Sequence, residues 1–198
     1  DSNGCIGTAD VSYPSVPLFL MYSTDYIKGM LRPVFRFASC DVWEYDFAPH
    51  DVGRYPYAWG QVYGLNPEKK GKQYLQSYDL KFQMPVEECR NMLIMTAACC
   101  EIDKNAAFAK PYQGLLKTWT EYLLTYGADP GEQLCTDDFA GHLAHNTNLA
   151  VKAIMGIKAY ARILELLGDD SESMRYRSQA AAMAAVWETT ARGKGHTA

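Results

Sequence analysis

The sequence predicts an all-α domain in which about six helices pair as three αα-hairpins joined by long irregular loops. Three observations predict it. Apolar residues recur at helical spacing in segment after segment. No β-α-β alternation is present, and no Gly-rich strand-to-helix turn, which sets aside the dinucleotide-binding and P-loop classes. The chain has 198 residues and is 48% apolar, enough for one domain with a sizeable core and too much for a disordered chain.

The helices follow in order. "PSVPLFLMYS" from Pro14 and "TDYIKGMLRPVFRFAS" form the first pair, with Thr24 or Asp25 as cap, Ile27, Leu31, Val34 and Phe35 as apolar stripe, and Pro33 bending or interrupting the second helix. Cys40 to Met84 is dense in Tyr, Gly, Pro and Trp without sustained periodicity; loops of that length are uncommon and usually functional. "MPVEECRNMLIMTAACCEID" has Pro85 in its first turn and acids at its positive end. "NAAFAKPYQGLLKTWTEYLLTYG" stops at Gly127, and Pro111 marks a kink or a late start. "NTNLAVKAIMGIKAYARILELLG" runs from an Asn cap to Gly168, and its small residues Ala150, Ala153 and Gly156 allow a neighbouring helix to approach closely. The last helix, "DSESMRYRSQAAAMAAVWETTA", has Asp170 or Ser171 as cap.

Charge and composition exclude partners. The net charge is -4 with both signs interspersed, so no basic face is available to neutralise phosphates, and nucleic acid is not expected. No apolar run approaches the roughly 20 residues that span a bilayer, so no membrane span is expected. The six cysteines lack C-x-x-C spacing and read as buried free thiols.

Three polar nodes go beyond what secondary structure needs. In "FAPHDVGRYPYAWGQVYG", His50 and Asp51 stand side by side among the turn formers Gly53, Pro56 and Gly60. Tyr55, Tyr57, Trp59 and Tyr63 there can stack on a sugar, line a small-ligand pocket, or pack the loop onto the helices. In "QMPVEECRN", Glu87 and Glu88 share a helix's first turn but point in different directions, so one of them faces any given pocket, with Asn91 a turn further on. They equally suit the helix dipole. In "QLCTDDFAGHLAHNTNL", Asn146 or Asn148 can cap the helix, which leaves Asp137, Asp138, His142 and His145 unexplained. Close carboxylates push their pKa values apart and suit acid–base work. "HLAHN" is not H-E-x-x-H and offers no third ligand, so neither a metal nor a cofactor is expected. Nucleophile signatures such as G-x-S-x-G and S-x-x-K are missing from the sequence.

The longer strings carry a resemblance. "GTADVSYPSVPLFLMY", "KGMLRPVFRFA", "FAPHDVGRYPYAWGQVYG", "MPVEECRNMLIMTAA" and "QLCTDDFAGHLAHNTNLAVKAIMGIKAYA", within a match that runs in order from about Gly4 to Trp187, resemble the glutaminase A family of bacterial and fungal proteins. What they resemble is the family's central helical region, related to six-hairpin glycosidase toroids. The resemblance implies that residues 1–198 are a single helical domain, about half of an (α/α)6 toroid, cut from a larger multidomain protein whose other domains are its partners. It also implies a secreted or periplasmic protein that hydrolyses L-glutamine to L-glutamate and ammonia.

On that reading Asp137 or Asp138 is the general base, and Glu87 or Glu88 protonates the departing amine. His50, His142 and Asn146 hold the substrate, with Asp51, Tyr55, Trp59 and His145 completing its binding surface. Two other readings fit the same residues. An inverting glycosidase would set its acids about 6.5–9.5 Å apart around a saccharide. A non-catalytic ligand-binding helical module would show no pocket between the three nodes.

Overall fold

The computed structural model describes residues 4–64, 82–136 and 143–192. Six α-helices span them: α1 (Ala9–Leu20), α2 (Thr24–Ala38), α3 (Pro85–Asp103), α4 (Gln113–Tyr126), α5 (Thr147–Leu167) and α6 (Asp170–Thr190), with a 3-10 turn, Lys110–Tyr112, leading into α4. The fold is all-α, as three helical hairpins. Among the described residues no β-strand is present, and Cys5 and Arg54 form an isolated antiparallel bridge. No described helix is long and apolar enough to cross a membrane.

The helices form two rows. α3 packs between α1 and α5, while α2 and α4 sit behind it and α6 lies on α5. Side-chain bonds fix the directions. Glu87 at the start of α3 meets Lys152 at the start of α5 at 3.0 Å, and Glu101 near the end of α3 meets Arg162 further along α5 at 2.7 Å, so these two helices run parallel. Thr24 and Lys28 at the start of α2 bond Asp103 at the end of α3 at 2.7 Å each, so α2 runs the other way. Trp187 near the end of α6 donates its Nε1–H to the Thr147 carbonyl at the start of α5. The first turns of α3 and α5 therefore share one end of the bundle, and the contact of Asp10 with the α3 end places the first turn of α1 there too.

Burial follows the sequence pattern. α2 buries Ile27, Leu31, Val34, Phe35 and Ala38, one stripe at helical spacing. α3 is buried all round from Pro85 to Leu93, which only a central helix can be. Stacked rings of Phe35 on Tyr112, 4.1 Å apart, and of Phe35 on Trp119, 5.5 Å apart, tie α2 to α4. All six cysteines are free thiols and five are buried; burial pushes the Cys89 and Cys99 thiols well up, the latter to about 12.

Several boundaries differ from the sequence expectation. α1 begins at Ala9 rather than Pro14 and holds Pro14 and Pro17 inside it, each forfeiting one backbone rung. α2 continues through Pro33, because buried Leu31 on one side of it and Val34 and Phe35 on the other are both held in the core. Its cap is Ser23, which accepts from the Asp25 amide, rather than Thr24 or Asp25. Asp169, not Asp170 or Ser171, caps α6. Pro111 gives the late start, with α4 opening at Gln113. Asn146 caps α5, and Gly168 closes it at φ +83.

Gly156 is where α5 crosses its neighbours. A Cβ there would lie 2.7 Å from Leu123 Cδ1 and 3.1 Å from the Arg90 Cα. Gly156→Val should cost about 1–3 kcal/mol in urea unfolding through overpacking. Gly114→Ala, with open space around it, should be neutral or stabilising by about 0.4–1 kcal/mol. Equal effects at the two positions would refute this packing. A second prediction concerns acid. Hydrogen bonds from Arg162 and Lys104 hold the exposed Glu101 carboxyl down at about 2. A carboxylate depressed in this way stabilises the fold above its ordinary value of 4.5 and loses that contribution as pH falls toward 2. At low salt, Glu101→Gln should therefore show a smaller drop in urea midpoint between pH 5 and pH 2.5 than the parent; identical drops would exclude the effect.

Candidate functional site

The site is built where the first turns of α1 and α3 meet the loop 40–64. Backbone bonds bring them together: Ile6 N–H to the Gly53 carbonyl at 2.8 Å, Val52 N–H to Ile6 at 2.9 Å, and Ala9 N–H to His50 at 2.9 Å. This short zipper sets Asp10, in the first turn of α1, beside His50. Gly53 (φ +99) is required, since a Cβ there would stand 2.6 Å from the Gly60 carbonyl oxygen.

Asp51 organises the loop. Fully buried, its Oδ1 accepts from the Gly53 and Val62 amides at 2.8 and 3.1 Å, and its Oδ2 from the Tyr63 amide at 3.2 Å. Oδ2 also lies 3.0 Å from His50 Nδ1. The His50 ring stacks on Tyr63 with centroids 4.0 Å apart, and the His50 amide donates to Gln61 Oε1 at 2.7 Å. His50 is thus fixed in position, orientation and hydrogen bonding, with Nε2 left to face Asp10 Oδ1 at 3.3 Å. That contact is close enough for ion-pair attraction but lacks hydrogen-bond alignment.

Glu87 and Glu88 do diverge. Glu87, 2% exposed, accepts from the Thr136 amide and hydroxyl at 2.9 and 2.7 Å, from Lys152 at 3.0 Å, and from Arg90 at 3.4 Å. It is a fully partnered anion that ties α3 to α5 and to the segment before residue 137. Gln133 of that segment also accepts from the Val86 amide at 3.0 Å, which caps α3 from outside the helix.

Glu88, 1% exposed, turns toward Asp10 and His50. One of its oxygens accepts from Asn91 Nδ2 at 3.0 Å; the other, Oε1, has no hydrogen-bond partner among the described residues. Burial pushes its carboxyl well above the usual range, against the pull of His50. Burial alone would lower His50, but the flanking Asp10 and Asp51 and the field of Glu88 push it up to about 10. One ligand atom each from Asp10, His50 and Glu88 fall within 4.8 Å of one another. Of the three, Asp10 keeps the most surface in solvent, 13%.

The structure brings together His50, Asp51 and Glu88 of the expected site residues. Glu87 sits beside them but is consumed by its own partners. Tyr55 and Trp59 are 78% and 84% exposed on the neighbouring loop, where Trp59 leans on Tyr57 at 5.2 Å. His145 is also exposed and pairs with Asp129 at 2.7 Å. Asn146 accepts from the Asn148 and Leu149 amides, so its carbonyl is occupied in capping α5. Asp137, Asp138 and His142 lie outside the described residues. An open apolar groove of about 640 Å³ between α3 and α5 shares Arg90 and Lys152 with the Glu87 node but includes none of Asp10, His50 and Glu88.

A family model described as the glutaminase A six helical-hairpin domain matches residues 1–198. The chain belongs to the glutaminase A family. It is 35% identical to "Glutaminase A" of Aspergillus oryzae over 189 residues, covering 95% of this chain and 25% of that protein. It is 26% identical over 245 aligned positions to a "probable glutaminase" of Arthroderma benhamiae, covering 94% of this chain and 27% of that protein. The chain thus spans about a quarter of the length of these relatives. Among the described residues the helices pair as three hairpins.

Sequence reasoning missed one member of the cluster of this glutaminase A family chain, Asp10. Its signal was an acid in the first turn of a helix, which reads as ordinary dipole complementation, and the helix itself was expected to start four residues too late to include it.

The two adjacent acids should respond oppositely to neutralisation. Glu87→Gln leaves Lys152 and Arg90 without their buried anion and should cost about 3–5 kcal/mol in urea unfolding. In chelator-containing buffer Glu88→Gln replaces a buried carboxyl that keeps one oxygen unpartnered among the described residues, and should leave stability unchanged or raise it by about 1–3 kcal/mol. Equal losses would show that both carboxylates hold the fold.

Proposed function

We propose that this chain carries the reaction centre of an amide hydrolase that releases ammonia from glutamine, and that the centre lies where Asp10, His50 and Glu88 converge. The observation that carries the proposal is the pair of oxygens, Asp10 Oδ1 and Glu88 Oε1, buried at that convergence without hydrogen-bond partners among the described residues. A fold normally pairs such atoms, and groups left unpaired in this way mark functional sites. The name borne by the relatives supplies the substrate.

In the reaction a water oxygen adds to the amide carbon, the C–N bond breaks, and nitrogen leaves as ammonia after gaining a proton. Asp137 or Asp138, in the segment that follows Thr136, takes the proton from the water and returns it to the departing nitrogen. The Asp10–His50–Glu88 cluster holds the amide and water at the site. Asp51 is a positioning residue that sets the His50 ring.

A saccharide-processing role is the second reading, and one observation favours it: the exposed Tyr57–Trp59 pair offers ring faces on which a sugar could stack.

The test is ammonia release from L-glutamine by the native polypeptide that carries this chain. Glu88→Gln and Asp138→Asn should each lower kcat by about 10²–10⁴-fold while leaving the circular dichroism spectrum intact. No release by the folded parent, together with cleavage of an oligosaccharide panel, would replace the amidase reading with the second one.

A further inference from the structure

We infer that Asp10, His50 and Glu88 together seat a divalent transition-metal cation. The inference rests on the reading that this cluster is the reaction centre, and it specifies what occupies that centre. Three independent features point to it.

The first is spacing. One donor atom from each residue falls within 4.8 Å of the other two, so a single ion can touch all three. The second is the unpaired acceptors. Glu88 is 99% buried by its 1% exposure, its Oε1 has no partner among the described residues, and Asp10 Oδ1 has no hydrogen bond either. Asn91, whose amide nitrogen bonds the other Glu88 oxygen, also has a buried Oδ1 without a partner. Lone acceptors of this kind are costly in a dry interior, and a cation satisfies several at once.

The third is the setting of His50. Its Nδ1 rests 3.0 Å from Asp51 Oδ2, and Asp51 is itself clamped by the amides of Gly53, Val62 and Tyr63. Nε2 is thereby aimed at Asp10. This carboxylate–imidazole arrangement behind the second ring nitrogen is how metal-binding histidines are held, and an ion would displace the proton that Nε2 carries against Asp10. The donor set is one nitrogen and two carboxylate oxygens. It suits Zn²⁺ or Mn²⁺ better than Ca²⁺ or Mg²⁺, which favour oxygen-only shells. Two carboxylates balance the charge of the ion. Three protein ligands leave a position for water or substrate, where the ion would polarise the amide carbonyl or the attacking water.

The experiment is ion binding by the native polypeptide, stripped with chelator, freed of any histidine tag and dialysed against Zn²⁺ or Mn²⁺. The parent should retain one ion more per chain than Asp10→Asn or Glu88→Gln, and its thermal midpoint should rise with ion concentration while theirs do not. A circular dichroism spectrum of Asp10→Asn unchanged from the parent separates its loss of ion from unfolding. Asp51→Asn should weaken binding about 10–100-fold without abolishing it. The inference fails if the parent gains no ion and no thermal shift at millimolar metal, or if both carboxylate variants bind as the parent does. Equal shifts with Ca²⁺ or Mg²⁺ would overturn the transition-metal assignment. Ammonia release that persists in stripped protein with no ion bound would remove the cation and leave the amidase standing. Site-specific ion binding without ammonia release would do the reverse.

Discussion

Two carboxylates are buried side by side in the first turn of the central helix, and the rest of the molecule is arranged around the difference between them. Glu87 is given every partner that a carboxylate can use: an ammonium, a guanidinium, a hydroxyl and a backbone amide. Each comes from a different part of the chain or from the next turn of α3. The anion therefore locks α5, α3 and the segment around Thr136 into one register. Glu88, on the adjoining face, receives one hydrogen bond, keeps its other oxygen without a partner among the described residues, and lies against Asp10 and His50. One acid holds the frame; its neighbour is held by it.

The second constraint is the short backbone zipper between residues 6–9 and 50–53. It joins the start of α1 to a loop with no regular secondary structure, and Asp51 makes that loop rigid by accepting three backbone amides at once. A loop tied in this way can hold an imidazole as firmly as a helix can. The consequence is chemical: a histidine with one ring nitrogen fixed by a carboxylate has its other nitrogen at a defined place, which a reaction centre requires. The exposed rings of Tyr55, Tyr57 and Trp59 lie on the outer part of the same loop, so the segment that anchors the cluster also supplies surface next to it.

Membership of the glutaminase A family is consistent with this layout. The first turns of α1, α3 and α5 gather at one end of the bundle, and helix N-termini bring their positive dipole ends to a single region. The carboxylates clustered there are favoured by that field before any ligand arrives, so the chemistry and the helix direction support each other.

Sequence alone determined the all-α class, the existence of six helices, the Asn146 and Gly168 ends of α5, and the late start of α4 after Pro111, because periodicity and capping are local and leave their mark in neighbouring residues. It also marked His50, Asp51 and Glu88, since adjacent polar groups in a loop or a first turn exceed what secondary structure needs. Tertiary structure decided which polar residues meet. Glu87 and Glu88 look equivalent in the sequence; their roles separate only because Lys152, some sixty residues on, reaches one and His50 the other. Asp10 was invisible as a site residue, for its position is explained by the helix dipole until the zipper with residues 50–53 sets it against the imidazole. Pro14 and Pro33 misled the reading of where α1 starts and whether α2 continues, because the cost of a lost rung is local and the burial that outweighs it is not.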